Sequence, residues 1–204
     1  MEEVEYQRRD AFPTHMFMFA NVDLAIRLKK YISKDKVKGI ESGVATEVKK
    51  NLDESDFDFL KREDEVIKES VQYFSDSIQI ALNDIFQEKV AYKIAFPDSW
   101  YHICRKNSSH ETHQHSNCSW CGVFYVTSGD ADSGGQTVFL SPIGSNFKDE
   151  GSPLSNSGIV KVTPEQGTLI LFPSYLQHYQ SLYTGNSNRI TLGFNSIIME
   201  RIQS

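Results

Sequence analysis

With 204 residues and a net charge of -6, this chain is long enough for one domain with a full hydrophobic core. It has no cluster of Lys and Arg, which argues against nucleic acid as an obligate partner, because neutralising phosphates requires grouped positive charge. No run reaches the roughly 20 apolar residues of a membrane helix. The acidic start lacks the features of a secretory signal, so we expect a cytosolic protein with a small-molecule or peptidyl substrate.

The first 88 residues predict a strand and then helices. In order, we expect a strand ending at Ala20, a helix from about residue 21 to Ser33, a polar loop over 34–54, and helical structure over 56–87 that breaks near 61–65. The longer helix, about 63–87, has one apolar face and should lie against a sheet.

From residue 89 the pattern changes to short β-rich segments separated by Gly, Pro, Ser, Asn and Asp. The segments are 90–96, 99–104, 122–127, 137–140, 158–162, 168–172, 179–182 and 189–198. About eight strands at this spacing predict a double-sheet jelly roll of the cupin-like kind, mostly β with a helical layer outside. We expect one domain over residues 1–204, with helical support in 1–88 and the jelly-roll core in 89–204. The loop over 141–158 is a candidate lid.

Four of the six histidines lie between residues 102 and 115. In an extended backbone, His113 and His115 project from the same face, which is a suitable spacing for metal ligands. A later single histidine, His178, follows another apolar run, and a jelly roll would bring all three side chains into one mouth. Three neutral imidazoles suit iron(II), zinc or copper better than magnesium or calcium.

The three cysteines and the remaining histidine His15 offer other interpretations. Cys118-x-x-Cys121 could form a structural zinc site with the histidines or with Cys104, but one Cys-x-x-Cys pair is a weak signal. Cys121 also begins an apolar strand, where a small buried residue packs well. We expect the three cysteines to be reduced, and the isolated His15 to be structural.

Several motifs in the second half of the chain are typical of one superfamily. They are His113-Gln114-His115 followed by the strand Cys121 to Val126, the small-residue turn and strand from Ser133 to Pro142, the block from Gly167 to His178, and the block from Asn188 to Asn195. Together they resemble the 2-oxoglutarate and iron(II)-dependent oxygenase superfamily. The best match is a branch found in bacteria and their phages that is related to prolyl hydroxylases.

This resemblance implies a double-stranded β-helix that binds Fe(II) and 2-oxoglutarate and uses O2 to hydroxylate a substrate, which could be a protein side chain. It implies that His113, His115 and His178 are the iron ligands. It also implies that Arg189 binds the far carboxylate of 2-oxoglutarate, together with Thr191. The residues agree, since an arginine inside an apolar strand needs an anion and offers it a bidentate fork.

Aromatic residues near these motifs are candidates for the cosubstrate pocket. Tyr101 and Tyr125 are expected to contribute to its walls, as is Trp120.

The sequence departs from the superfamily at one position. Where the usual pattern has a carboxylate two residues after the first histidine, this chain has His115. Glu111 could supply a carboxylate, although it precedes His113. Two alternatives therefore stay open: a three-histidine cupin-like dioxygenase that does not use 2-oxoglutarate, and a non-catalytic metal-binding jelly roll.

Overall fold

The computed structural model describes residues 13–35, 49–142 and 158–202, and these residues form mostly β-structure. The helical elements are α1 (Val22–Ile32), a short 3-10 turn (Phe59–Lys61) and α2 (Glu65–Phe86). The strands are β1 (Phe17–Ala20), β2 (Lys49–Glu54), β3 (Ala91–Ala95), β4 (Ser99–His113), β5 (Trp120–Thr127), β6 (Thr137–Leu140), β7 (Ile159–Val162), β8 (Thr168–Pro173), β9 (His178–Tyr183) and β10 (Arg189–Ile202).

Both helices begin at a capping side chain. The Asn21 side chain accepts a hydrogen bond from the Leu24 amide at 3.0 Å, and the Asp64 carboxylate accepts one from the Val66 amide at 3.1 Å. Such caps satisfy amides that have no partner inside the helix. The break predicted near residues 61–65 is confirmed, because it separates the 3-10 turn from α2.

The strands form one curled antiparallel sheet. Its order is β1-β8-β5-β10-β4-β9-β6-β7, with β2 added to β4 and β3 added to β10. All eight segments predicted after residue 89 are strands, and the jelly roll with a helical layer is confirmed. The long strand β10 lies between β4 and β5, so its side chains have neighbours on both sides.

Alternation along β10 gives the sheet two different faces. Ile190, Leu192 and Phe194 join a buried cluster with the helices. Arg189, Thr191 and Gly193 lie on the opposite face, where they line a pocket inside the curl of the sheet. Successive residues of a strand point to opposite faces, so this one strand both anchors the helical layer and builds the pocket.

One prediction for the N-terminal part is wrong. The passage 34–54, expected to be a loop, contains β2, which pairs with β4 in the register Leu52 to Cys104 and Glu54 to His102. Leu52 is its only apolar residue, so pairing with β4 determines the strand. Residues 36–48 and most of the candidate lid, 143–157, lie outside the described residues.

Neither of the two helices in the described part of the chain has the combination of length and apolar character that crossing a membrane requires.

Replacing Phe74 tests the contact between the helical layer and the sheet. Phe74 on α2 is fully buried, and its ring lies 4.7 Å from that of Phe194 and 5.6 Å from that of Phe124. Phe74→Ala should lower the free energy of unfolding, measured by urea denaturation, by about 3–5 kcal/mol, because it leaves a cavity. The control Ile80→Ala, at a 57% exposed position of the same helix, should change it by less than about 0.5 kcal/mol. Equal effects would contradict the packing described here.

Candidate active site

Three histidines converge at one end of the pocket. His113 ends β4 and lies opposite His178, the first residue of β9, in the pairing of these strands. His115 follows two residues later, and its amide donates a hydrogen bond to the Ser174 carbonyl at 3.1 Å. The three imidazoles each offer a nitrogen, and these nitrogens lie within 4.8 Å of one another. The structure thus brings together the three histidines predicted from the sequence.

The hydrogen bonds of two of these rings favour metal binding. Nδ1 of His113 lies 2.8 Å from the Glu111 carbonyl, and Nδ1 of His178 lies 3.0 Å from the Leu176 carbonyl. A carbonyl can only accept, so each Nδ1 carries the proton and each Nε2 presents its lone pair. Burial, together with the neighbouring His113, lowers the pKa of His178 to about 3. A neutral imidazole of this tautomer is the form that binds a metal, so the site fits iron(II).

Each of the three imidazoles also packs against another ring. The pairs are Trp100 on His115 at 5.7 Å, His110 on His113 at 4.1 Å, and Phe172 on His178 at 4.7 Å. Gly193 makes room for the indole, because a Cβ there would lie 2.9 Å from the Trp100 ring. These contacts limit the orientations that the histidine rings can take.

Arg189 lies at the other end of the pocket and is only 1% exposed. One of its terminal nitrogens donates to Gln180 Oε1 at 2.8 Å, and its guanidinium lies 5.2 Å from the centre of the Tyr125 ring. Its buried Nε has no hydrogen-bond partner. Among the described residues no carboxylate forms an ion pair with it. A buried cation without an anion is costly, so this end of the pocket is suited to an anionic ligand.

Paired residues of β4 and β10 line the space between the two ends. Gly193 lies opposite Trp100, Thr191 opposite His102, and Arg189 opposite Cys104. Because Trp100 stacks on His115, the pocket runs from the histidines past Thr191 to Arg189. Thr191 is 6% exposed and lines the pocket.

The structure corrects the prediction for Tyr101. This side chain is fully buried on the opposite face of β4, where its hydroxyl donates to Asp35 at 2.8 Å and its ring packs 5.1 Å from that of Phe59. Burial, together with the nearby Asp35 carboxylate, raises its pKa. Tyr101 therefore ties the sheet to the helical layer and does not line the pocket. Its neighbours Trp100 and His102 do, because they alternate with it along the strand.

The remaining candidates take different positions. Tyr125 is fully buried beside the guanidinium of Arg189, and its hydroxyl lies 2.6 Å from Thr137 Oγ1, so it backs the pocket. Burial raises its pKa and keeps the hydroxyl protonated. Trp120 packs on Phe17, outside the pocket. The carboxylate of Glu111 is not part of the three-histidine group, so it does not replace the missing acidic ligand.

Sequence reasoning missed a buried acid beside the pocket. Glu54 of β2 lies 2.6 Å from Nε2 of His102, and both side chains are less than a tenth exposed. His102 and Gln180 line the pocket but were not assigned to it. Strand alternation could have identified both, because His102 lies two residues after Trp100 and Gln180 lies two residues after His178. Glu54 could not have been found in this way, because β2 reaches β4 only through long-range pairing.

The cysteine interpretation of the metal site is not supported. The Sγ atoms of Cys118 and Cys121 lie 3.8 Å apart, and none of the three cysteines forms a disulfide in this structure. Within the described ranges, the only group of three or more metal-binding side chains consists of the three histidines.

Comparison with known proteins agrees with this site. Residues 98–195 match the family described as "Putative 2OG-Fe(II) oxygenase". No curated protein matches the sequence. The fold is similar to that of a prolyl-4-hydroxylase from Pseudomonas putida, with a TM-score of 0.60, 14% identity and coverage of 90% of this chain and 93% of that one.

Two further structures with this fold contain 2-oxoglutarate. The viral collagen prolyl hydroxylase of Paramecium Bursaria Chlorella virus-1 has a TM-score of 0.56 at 12% identity, covering 92% of this chain and 96% of that one. HygX from Streptomyces hygroscopicus, with nickel also bound, has a TM-score of 0.57 at 10% identity, covering 90% and 82%. The family model covers residues 98–195, just under half of the chain, and the three-histidine site inside a jelly roll agrees with the resemblance of this region to the 2-oxoglutarate and iron(II)-dependent oxygenase superfamily.

Removing the Tyr101 hydroxyl tests its placement outside the pocket. Tyr101→Phe loses the hydrogen bond to Asp35 and should lower the free energy of unfolding by about 0.5–1.5 kcal/mol. It should leave the affinity for 2-oxoglutarate unchanged, measured by calorimetry on zinc-loaded protein. Tyr125→Phe also removes one buried tyrosine hydroxyl, but at a position behind Arg189, so the 2-oxoglutarate affinities of the two variants are compared. Weaker 2-oxoglutarate binding by Tyr101→Phe, without loss of stability, would place Tyr101 in the pocket after all.

Proposed function

We propose that His113, His115 and His178 hold Fe(II) and that Arg189, with Thr191, binds the far carboxylate of 2-oxoglutarate. The observation that carries this assignment is the buried guanidinium of Arg189, which has no anionic partner among the described residues and lies across the pocket from the three imidazoles. The reaction is the hydroxylation of a C–H bond in a small molecule or a peptide.

The surroundings of Arg189 prepare it for a carboxylate. Gln180 orients one terminal nitrogen, and the Tyr125 ring lies beside the guanidinium. Gly135 allows close approach, since a Cβ at that position would lie 3.0 Å from Arg189 Cδ. Charge-assisted hydrogen bonds are strong where water is excluded, and a guanidinium can bind a carboxylate with two parallel bonds. Arg189 can thus fix the position of 2-oxoglutarate in the pocket.

The histidines contribute a neutral ligand set. Nδ1 of His113 and of His178 keeps its proton on a backbone carbonyl, so these rings bind a cation without first releasing a proton. When bound, Fe(II) and 2-oxoglutarate supply the oxidising chemistry, in which O2 gives one oxygen atom to succinate and one to the substrate, and CO2 is released. The protein's part is to orient the cosubstrate and to keep water out of the pocket.

A peptide side chain is the substrate class that the surface beside the pocket favours. A groove lined by residues 109–112 of β4 and 179–182 of β9 adjoins the pocket and shares His110, Tyr179 and Gln180 with it. Pairing between these two strands is irregular, with register shifts on both sides of His110, which opens the groove. An extended segment can lie along such a groove while one side chain enters the pocket.

Arg189 also separates this proposal from the two alternatives. A cupin-like dioxygenase without 2-oxoglutarate, or a non-catalytic metal-binding jelly roll, gives no reason to bury an arginine across the pocket from the metal centre. The replacement of the usual carboxylate by His115 leaves a ligand set without negative charge. One carboxylate of the cosubstrate would then offset part of the charge of the ferrous ion, and the other would pair with Arg189.

Replacing Arg189 tests the proposal. Arg189→Lys keeps the positive charge but loses the planar fork, and Arg189→Met also loses the charge. Breaking a buried, hydrogen-bonded charge pair costs about 2–5 kcal/mol, so we expect 2-oxoglutarate to bind at least about 30-fold more weakly to Arg189→Met, with Arg189→Lys in between. The measurements are calorimetric affinity on zinc-loaded protein and succinate formation with Fe(II) and O2.

The control is Arg105→Met on the same sheet. Arg105 pairs with Asp53 and its side chain is 53% exposed, so its loss should leave 2-oxoglutarate affinity within about twofold of the original. If Arg189→Met bound 2-oxoglutarate as tightly as Arg105→Met, the cosubstrate assignment would be wrong. If the unmodified protein binds Fe(II) but forms no succinate, the proposed function is replaced by the cupin-like dioxygenase or by the non-catalytic metal-binding jelly roll.

A further inference from the structure

Two free thiols lie side by side next to the pocket, in the segment that follows His115. Cys118 is in the loop that follows His115, and Cys121 is near the start of β5. Their Sγ atoms are 3.8 Å apart. Cys118 is half-buried, whereas Cys121 is 1% exposed and lines the pocket.

The loop that carries Cys118 is joined to the segments that position two metal-binding histidines. The Ser174 carbonyl accepts the His115 amide at 3.1 Å, and the Ser174 amide donates to the Ser119 carbonyl at 3.2 Å. Ser174 belongs to the turn between β8 and β9, which leads to His178. A movement of the loop at Cys118 is therefore transmitted to both sides of the metal centre.

We propose that Cys118 and Cys121 form a reversible oxidation site, at which a peroxide converts the two thiols into a disulfide that weakens metal binding by the neighbouring histidines. Disulfide formation itself does not depend on the proposed function, whereas its effect on the metal centre rests on it. The oxidant is hydrogen peroxide, which takes up two electrons as it is reduced to water.

The reaction balances as the loss of two electrons and two protons by the thiols. Cys118, the more exposed thiol, attacks one peroxide oxygen as the thiolate; the O–O bond breaks, and the first water leaves. Cys121 then attacks the sulfur of Cys118, the S–O bond breaks, and the second water leaves as the S–S bond forms. Burial raises the pKa of both thiols, so the first step is slower than at an exposed thiolate.

Bond formation requires both sulfurs to shift, and the new bond closes a ring over residues 118–121. The sulfurs must approach from 3.8 Å to the roughly 2.05 Å of a disulfide. The shift falls on residues 118–121 and hence on the hydrogen bonds of Ser119 and Ser174. Perturbing the groups that support metal ligands typically lowers metal affinity by about 10–100-fold, and we expect a loss of this size on oxidation.

The test treats the full-length, metal-free protein with hydrogen peroxide, removes the oxidant and counts free thiols. The expected count falls from three to one, and peptide mapping should show a link between Cys118 and Cys121. Fe(II) affinity, measured anaerobically by equilibrium dialysis, should fall at least about 10-fold and recover after dithiothreitol. Cys118→Ser and Cys118→Ala should keep their Fe(II) affinity after the same treatment, and Cys104→Ser should respond as the original protein does.

Three results would overturn the proposal: three free thiols after oxidation, a link involving Cys104, or a Cys118–Cys121 link that leaves Fe(II) affinity unchanged. Failure of the proposed function is recognised separately. In that case the reduced protein itself would not bind Fe(II) or form succinate, whatever the thiol count shows.

Discussion

The pairing of β10 with β4 on one side and β5 on the other is the constraint on which the rest of the structure depends. It places every second side chain of β10 against the helices and the others inside the curl of the sheet. Arg189 and Thr191 thereby enter the pocket, and Phe194 meets Phe74 of α2. A shift of one residue would exchange the two sets and would bury the guanidinium among apolar helix residues. The helical layer thus fixes the register on which the site depends.

Within this frame the two ends of the pocket carry different chemistry. One end holds a cation with a buried nitrogen that has no partner, and the other holds three imidazoles gathered with a neutral His178 among them. The buried cation costs folding free energy unless an anion pairs with it. A departure from the usual rules of burial and pairing, such as a buried cation without an anion, is typical of functional sites. The imidazole end is complementary to a metal ion, and the guanidinium end is complementary to a carboxylate. One cosubstrate that contacts the metal can therefore also pair with Arg189.

Much of this could be predicted from the sequence, because the signals are local. Short apolar segments with turn residues between them identify the strands, and the spacing of His113 and His115 identifies one side of the metal site. Tyr101 was misassigned although strand alternation separates it from Trp100 and His102, which line the pocket. Strand β2 and Glu54 could not be predicted, since β2 has little apolar pattern and is defined by pairing with β4 more than 40 residues away in the chain.

The most direct test of the central claim is an anaerobic titration of the metal-free protein with Fe(II) and 2-oxoglutarate, followed by visible absorption. Chelation of ferrous iron by 2-oxoglutarate gives a weak metal-to-ligand charge-transfer band. We expect this band in the original protein and its loss in His178→Ala, which lacks one of the three imidazoles. Binding of Fe(II) without such a band at any concentration of 2-oxoglutarate would contradict the account.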